Sequence, residues 1–304
     1  MRPCPQPAPL RLGKGQKHGG KKEAVLTAVY TIAPAVRTPT AVVQSLFAPS
    51  AAPAAAEPRA RSGPRHKRQW ATLAGKDSAL AEAAARVTQR DGLHVQHRVA
   101  LTDGSQALQE RVRRQFPAFT LVLDLIHATE YLWKAANALL GETHPDRTAG
   151  VQARTLLLLQ SQASEVVDDL TRLAQVAGRT KCKRQATILQ GVAPYLARNA
   201  PYMQYATYLA HGWPIATGVI EGACRHVVKD RCEQSGMRWT IKGAEALLHL
   251  RCVHENGDWD TYHAFRRRQR HQRLYALPYP AAGATPLDLH ALEAPTPDPT
   301  GVAA

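Results

Sequence analysis

The eight residues Phe119–Ile126, FTLVLDLI, are the feature that most constrains the fold of this chain. A near-continuous apolar run of this length is typical of a strand buried on both faces, in a sheet with helices packed on either side. Asp124 interrupts the run, and His127 follows three residues later. Because a charge inside a buried strand is costly unless it is paired, Asp124 is either bonded to a partner or functional.

Other predicted strands and helices alternate along the same part of the chain. Apolar and β-branched residues predict strands over Glu23–Ile32 and His94–Thr102. Apolar residues three and four positions apart predict helices over Asp77–Gln89, Ser105–Gln115 and His127–Leu140. This alternation predicts an α/β fold with a mixed sheet.

Asp103 and Gly104 end the strand predicted at His94–Thr102. A carboxylate directly after a buried strand lies where α/β folds place their functional sites, although Asp-Gly is also an ordinary turn. Residues 146–210, further along, carry only helical spacing and predict a helical insertion, with the basic Lys181–Arg184 as one of its turns.

The stretch Gly212–Thr240 contains a second candidate site. Thr217 is a suitable N-cap, and apolar residues three or four apart form one side of the helix that follows. Glu221, Arg225 and Lys229 share the opposite side. A carboxylate among cations suits a metal-bound phosphate site; the alternative is a first-turn glutamate favoured by the helix dipole and paired with Arg225.

A net charge of +15 over 304 residues favours a polyanionic partner, nucleic acid first, although a basic protein that binds none is the alternative. The charge is concentrated in two clusters, RHKRQW at Arg65–Trp70 and RRRQRHQR at residues 266–273. Either cluster could contact DNA phosphates or be a solvated charged face, and Trp70 could stack on a base. The candidate DNA contacts in them are Arg65, Lys67, Arg68, Arg266, Arg267 and Arg268.

The remaining composition excludes some classes of protein. Five widely spaced cysteines form neither a disulfide framework nor a zinc motif, which fits a reducing cytoplasm. No apolar run reaches the roughly 18 residues of a membrane span. Proline-, glycine- and alanine-rich stretches predict a disordered basic segment at 1–22, a linker or loop at 48–64 and a disordered tail at 276–304.

An ordered set of motifs resembles the ISKra-type insertion-sequence transposases, which are DDE transposases of bacterial mobile elements. The motifs span residues 11 to about 275, and the set is specific although no single motif is. They are RLGKGQKHGGKKEAVLTAVYTI, VRTPTAVV, LTDGSQALQERV, LVLDLIHATEYLWKAANALLG, GWPIATGVIEGACRHVVKDRCEQSGMRWT and HENGDWDTYHAFR.

The resemblance implies an RNase H-like catalytic domain and metal-dependent phosphoryl transfer in DNA transposition. In such a site carboxylates hold two Mg²⁺ (or Mn²⁺) ions, which activate a water or a 3′-hydroxyl and stabilise the leaving oxygen. Asp103 in LTDG matches the second acid, and Glu221 in GVIEGACR matches the third. Asp124 and His127, as D-x-x-H, resemble an accessory motif of Mutator-like relatives. Its implied role is to orient the metal ligands by hydrogen bonding to them, or to position a phosphate.

The resemblance also implies the partners and the arrangement of domains. Arg225 and Lys229 are expected to contact the DNA backbone, and core packing is the favoured role of Trp213 and Trp239, with base stacking as the alternative. The implied partner is double-stranded DNA at the element ends and the target, bound by a homo-oligomer in the bacterial cytoplasm, at the nucleoid. The catalytic domain is expected to consist of residues 23–142 and 211–275, and to end in a basic C-terminal helix. Residues 143–210 are expected to form the helical insertion.

The chain departs from the family pattern at its beginning. The family places its first acid on a strand upstream of RLGKG, but the preceding residues MRPCPQPAP contain no Asp or Glu. We therefore expect an N-terminally truncated chain that lacks the first strand and is impaired or inactive. The alternative is a non-catalytic DNA-binding remnant that modulates a full-length transposase by forming mixed oligomers.

Overall fold

A computed structural model describes residues 22–47, 63–180, 182–233 and 237–275. The chain divides into two compact units, residues 1–256 and 257–304. The predicted basic segment at 1–22, the linker at 48–64 and the tail at 276–304 lie outside the described residues, apart from Lys22, Gly63 and Pro64.

An antiparallel pair of strands opens the first unit. β1 (Val25–Thr31) lies beside β2 (Arg65–Thr72), with Val25 opposite Thr72 and Val29 opposite Arg68. The strand predicted at Glu23–Ile32 is thus confirmed, whereas Arg65–Trp70 was predicted only as a basic cluster. The cluster forms a strand because alternate residues, Gln69 and Ala71, are buried while its cations stay exposed or partly exposed.

At Gln69, the outer edge of β2 is covered by the side chain of Asn256. The Asn256 carboxamide accepts the backbone N–H of Gln69 at 2.7 Å and donates to the backbone carbonyl of the same residue at 3.0 Å. Asn256 therefore satisfies the groups that a further strand would otherwise bond.

A parallel pair of strands forms the second sheet. β3 (Val99–Thr102) pairs with β4 (Thr120–Leu123), Val99 opposite Thr120 and Thr102 opposite Leu123. Both strands are shorter than predicted. His94–His97 lie outside the ladder, whereas Arg98 is bonded to it through its carbonyl, which accepts the Thr120 N–H at 2.8 Å. β4 ends at Leu123 rather than Ile126 because Asp124 caps a helix instead of continuing the strand.

Three helices pack beside these strands. α1 (Pro39–Phe47) follows β1, α2 (Lys76–Arg90) follows β2, and α3 (Gln106–Gln115) connects β3 to β4. α2 packs against both β1 and β2, and α3 packs against β3 and β4. The predicted helices over Asp77–Gln89 and Ser105–Gln115 are confirmed to within one residue at each end.

The largest core forms where the parallel pair meets the helices that follow it. α4 (Leu125–Leu140) starts two residues before the predicted His127 and packs against both α5 (Asp146–Leu159) and α7 (Lys183–Asn199). The stretch predicted to be wholly helical is helical, with an unpredicted break at 160–162 between α5 and α6. Its elements are α5 (Asp146–Leu159), α6 (Ala163–Arg179), α7 (Lys183–Asn199), a 3-10 turn (Ala200–Tyr202) and α8 (Tyr205–Ala210).

The next helix changes its winding part-way. α9 (Gly218–Ala223) continues into a π-helical turn, Cys224–Lys229, and a short α10 (Asp230–Cys232). α11 (Ile241–Glu255) follows and packs against β2. The apolar side of the π-helical turn meets α11 in a small second core of Ala71, Val227, Leu248 and Cys252.

The second unit contains α12 (Trp259–Tyr275), a helix with no buried residue and the predicted run of arginines. It is the basic C-terminal helix that was expected within 211–275. None of the described helices combines the length and the apolar character needed to cross a membrane. The described residues form an α/β chain that is mostly helical, with two small sheets.

Candidate functional site

Asp103 and Asp124 follow neighbouring parallel strands at the same end of the sheet. Thr102 pairs with Leu123, and the Asp124 N–H donates to the Thr102 carbonyl at 2.9 Å, so the ladder extends to the two acids. Their surroundings differ. Asp103 is exposed and accepts the Ser105 N–H at 2.9 Å, whereas Asp124 is fully buried. The carboxyl edge of the parallel pair thus carries one open and one enclosed carboxylate.

Both carboxylate oxygens of Asp124 are taken by donors of the protein. Oδ1 accepts the Ile126 N–H at 2.7 Å and so caps α4. Oδ2 accepts the N–H of Thr217 at 3.1 Å and also its hydroxyl. Burial and the nearby Asp124 charge raise the pKa of the fully buried Tyr205, whose hydroxyl donates to the Leu123 carbonyl at 2.9 Å. Asp124 is therefore a paired buried charge that joins α4 to the start of α9.

Glu221 lies one turn into α9. Its backbone N–H donates to the Thr217 carbonyl at 3.0 Å, so its Cα lies about 6 Å along the helix from the residue that contacts Asp124. The Glu221 side chain is exposed and, among the described residues, makes no ion pair with Arg225. The π-helical turn that begins at Cys224 changes the spacing on which the predicted i,i+4 pair depended.

The predicted polar and apolar sides of this helix are confirmed, whereas the predicted N-cap role of Thr217 is not. Arg225 and Lys229 are exposed, as is Glu221, and the opposite residues are half or fully buried. Thr217 does precede α9, but its hydroxyl donates to Asp124 instead of accepting an N–H of its own helix.

His127 does not share the surroundings of Asp124. It lies in the first turn of α4, its side chain is 38% exposed, and Nδ1 is 3.3 Å from Glu130 Oε2. The two residues of the D-x-x-H motif thus face different surroundings, one inside the fold and one at its surface.

A groove of about 800 Å³ runs beside Asp103. One wall is the turn Asp103–Ser105, and the other walls come from α4 and α7. Sequence reasoning missed the α7 residues, and no motif in the chain marks them. The lining residues outside the turn are Tyr131, Gln190, Gly191, Pro194, Tyr195 and Arg198.

The carboxylates that remain open are suited to Mg²⁺ or Mn²⁺. Within residues 22–47, 63–180, 182–233 and 237–275, no three His, Cys, Asp or Glu side chains are grouped closely enough to hold a metal. Mg²⁺, however, is commonly held by one or two carboxylates together with substrate phosphates. Asp103 and Glu221 are exposed oxygen donors of this kind, whereas Asp124 has no oxygen free of a protein donor.

The predicted DNA contacts lie on three separate elements. Arg225 and Lys229 belong to the π-helical turn, and Arg65, Lys67 and Arg68 lie on β2. Arg68 Nη1 donates to the Asn256 carbonyl at 3.0 Å, so this cation also holds α11 to the sheet. Arg266, Arg267 and Arg268 are exposed on α12, in the second unit.

One of three tryptophans, Trp239, differs from its predicted role. Trp70 stacks on His249, with ring centroids 4.3 Å apart, so one face of its ring is covered. Trp213 packs in the main core and stacks on Tyr208, which agrees with the prediction. Trp239 is 46% exposed, so the prediction that it packs in the core is wrong. Trp239 lies just before α11 and does not belong to the apolar side by which that helix packs against β2.

Comparisons with models of protein families, with curated proteins and with solved structures found no match to this chain.

Proposed function

We propose that this chain acts in DNA transposition, through metal-dependent phosphoryl transfer on the ends of an insertion element. The observation that supports this most is that Asp103 and Asp124 follow neighbouring strands at the carboxyl end of the parallel pair, and that Asp124 bonds Thr217, one turn before Glu221. Acids on separate elements that converge at one sheet edge are what a phosphoryl-transfer site requires.

The strand pairing supports an RNase H-like fold. Such a sheet contains an antiparallel part and a parallel part, as do the β1–β2 pair and the β3–β4 pair of this chain. In an RNase H-like sheet a central first strand lies between the two parts, and no such strand occurs among the described residues. The helical residues between α4 and α9 correspond to the insertion that this fold carries before its last acid.

The open carboxylates take the leading chemical roles in this proposal. Asp103 and Glu221 are the residues that would hold Mg²⁺ or Mn²⁺, together with phosphate oxygens of the DNA. When bound, the metal ions activate the attacking water or 3′-hydroxyl and stabilise the leaving oxygen. Asp124 sets the position of α9, and thereby of Glu221, through Thr217.

In the same proposal, the exposed cations contact the phosphates of the DNA. Arg225 and Lys229 lie on the side of the helix that carries Glu221 and contact phosphates next to the reacting one. The partner is duplex DNA, bound by the bacterial protein in the cytoplasm as a homo-oligomer. Arg266, Arg267 and Arg268 add contacts that do not depend on sequence.

The test is cleavage or joining of duplex DNA copied from the sequences that flank the gene. We expect a weak product with Mg²⁺ or Mn²⁺, none with Ca²⁺ or a chelator, and loss of that product in Glu221→Gln and Asp103→Asn. Glu233→Gln, a neutralised carboxylate beyond the π-helical turn, is the matched control and should retain activity. Metal-dependent product that survives in both Glu221→Gln and Asp103→Asn would exclude the proposed site.

A second candidate function is non-catalytic DNA binding that modulates a full-length transposase through mixed oligomers. It is favoured by the commitment of both Asp124 oxygens to protein donors, which leaves two open carboxylates at this edge. This candidate predicts binding with a steep salt dependence that is insensitive to Mg²⁺ and to Glu221→Gln. Binding that strengthens with Mg²⁺ only when Glu221 is present favours the first function.

A further inference from the structure

We infer that α7 holds the turn after β3 in place, and that Tyr195 and Arg198 are positioning residues for the Asp103 carboxylate. The inference rests on the proposed function, because it assigns a role to Asp103. It starts from two contacts between residues more than 90 positions apart in the chain.

One turn of α7 bonds two successive carbonyls of the β3–α3 connection. The Tyr195 hydroxyl donates to the Asp103 carbonyl at 3.0 Å, and Arg198 Nη2 donates to the Gly104 carbonyl at 2.9 Å. Residues three apart lie on the same side of a helix, so both donors reach the turn together. The two peptide groups on either side of Gly104 are thus bonded to α7.

The backbone at Gly104, which lies between these two hydrogen bonds, is closely surrounded by other atoms. Its φ is +82°, a left-handed conformation that favours glycine. A Cβ at this position would lie 2.8 Å from Leu123 Cδ1 and closer still to the Tyr195 hydroxyl. The chain therefore passes tightly between β4 and α7.

Tyr195 is itself fixed by its neighbours. Its ring is 8% exposed and lies parallel to that of Tyr131, with centroids 3.6 Å apart. Lys134 Nζ lies 4.0 Å from the centroid of the Tyr131 ring. Burial, and then the nearby Tyr131 and Asp103, raise the pKa of Tyr195, so its hydroxyl remains protonated and able to donate at neutral pH.

A second contact joins α7 to the helix that follows the turn. Asn199 is fully buried, accepts the Gln109 side chain at 2.7 Å and donates to the Tyr195 carbonyl at 2.9 Å. The connection is therefore held on both sides, at its carbonyls and through α3. Since the Asp103 Oδ1 also accepts the Ser105 N–H, the exposed carboxylate has a set direction. A carboxylate that is oriented before the metal arrives binds it with a smaller entropy cost.

The experiment uses the full chain with Tyr195→Phe and Arg198→Met, which remove the two donors and keep most of the packing. Tyr208→Phe is the matched control, because it removes a tyrosine hydroxyl of similar burial that makes no described bond to the turn. Asp103→Asn tests the carboxylate itself. Two quantities are measured: hydrogen exchange in peptides that cover Asp103–Ser105, and Mn²⁺ binding, followed by the spectroscopic signal of free Mn²⁺.

We expect Tyr195→Phe and Arg198→Met each to speed exchange in the turn and weaken Mn²⁺ binding by about 3- to 10-fold, the effect of one lost hydrogen bond. Arg198→Lys should restore part of the loss, and Tyr208→Phe should change neither quantity. Exchange and Mn²⁺ binding that stay at wild-type values in both donor variants would overturn the inference.

The Asp103→Asn variant separates this failure from that of the proposed function. If Mn²⁺ binding is unaffected by Asp103→Asn, the metal site is not at Asp103 and the positioning role falls with it, even when exchange shows that α7 holds the turn. If Asp103→Asn abolishes binding while the donor variants bind normally, the metal site stands and only the role of Tyr195 and Arg198 is refuted.

Discussion

Asp124, at the end of β4, accepts hydrogen bonds from both the backbone N–H and the hydroxyl of Thr217, which directly precedes α9. These bonds join residues that are 93 positions apart and connect the parallel strands to the helix that carries Glu221. The predicted accessory acid thus acts inside the fold, where its charge is balanced by donors instead of cations.

Removing the hydroxyl of Thr217 tests the cost of this connection. Thr217→Val keeps the volume but leaves a buried carboxylate short of one donor, so we expect the free energy of unfolding to fall by about 1–3 kcal/mol. The measurement is urea unfolding at pH 7. Thr207→Val, at an exposed position of α8, is the control and should change the free energy by less than about 0.5 kcal/mol. Equal stability in the two variants would mean that the Asp124–Thr217 bond adds nothing.

Gly104 should not tolerate a side chain. Gly104→Ala adds a Cβ against Leu123 and the Tyr195 hydroxyl at a φ of +82°, and we expect a loss of at least about 2 kcal/mol in unfolding free energy. Gly178→Ala is the matched control, since a Cβ at this position of α6 would meet nothing within 4 Å. That variant should be as stable as the wild type or up to about 1 kcal/mol more stable. Thermal and urea unfolding of both variants compare the two positions directly.

Glu245 should make stability depend on pH in the acid range. Burial alone would raise its pKa, but bonds from the Thr72 hydroxyl and the Leu73 N–H, with His249 nearby, lower it below 4.5. A carboxylate whose pKa is lower in the folded state stabilises the fold above its unfolded pKa, and this contribution is lost as pH falls through the folded pKa. The stability difference between wild type and Glu245→Gln should therefore be largest at neutral pH and shrink below about pH 4.5. A difference that grows on acidification would contradict the assignment.

The arginines of α12 should account for part of the salt dependence of DNA binding. Arg267 is exposed, and removing one phosphate contact lowers the slope of log affinity against log salt by about 1. We expect this change in Arg267→Ala, and about 3 when Arg266 and Arg268 are also replaced. Arg172→Ala removes a cation that is paired with Asp169 at 2.7 Å, and it should leave the slope unchanged. Equal slopes in all these variants would remove α12 from the DNA-binding surface.

Helices could be predicted from the sequence because their signals are local. Apolar spacing of three and four residues set the bounds of α2 and α3 to within one residue. β4 ends three residues earlier than predicted because Asp124 caps α4. β2 was missed as a strand because RHKRQW carries no apolar alternation, and the strand forms through its pairing with β1 and its contacts with α11. Its folding depends on residues more than 170 positions away, which no local pattern reveals.

The residues of the candidate site could likewise be predicted only where the local sequence marks them. Asp103 was found because it follows an apolar strand, Asp124 because it interrupts one, and Glu221 because it lies among cations on a helix with one apolar side. Tyr195 and Arg198 were not found, since α7 carries an ordinary helical sequence and only the tertiary fold brings it to the Asp103 turn. The burial of Asp124 could not be separated from a ligand role by sequence, because a capping carboxylate and a metal-binding one follow a strand in the same way.

Asn256 should matter more for its paired bonds than for its volume. Asn256→Ala removes the acceptor and the donor that bond Gln69, and we expect a loss of about 1–3 kcal/mol in unfolding free energy. Asn256→Asp keeps the acceptor and loses the donor, so at neutral pH its stability should lie between the other two. Urea unfolding of the three proteins measures the order, and an aspartate variant less stable than the alanine variant would contradict it.

The same side chain has a consequence for the behaviour of the protein at high concentration. An uncovered strand edge presents N–H and carbonyl groups that can pair with the edge of another molecule, and such pairing leads to aggregates. Asn256 occupies these groups at Gln69 from within its own chain. The Asn256 carboxamide thereby leaves the N–H and carbonyl of Gln69 unavailable for pairing with the strand edge of another molecule.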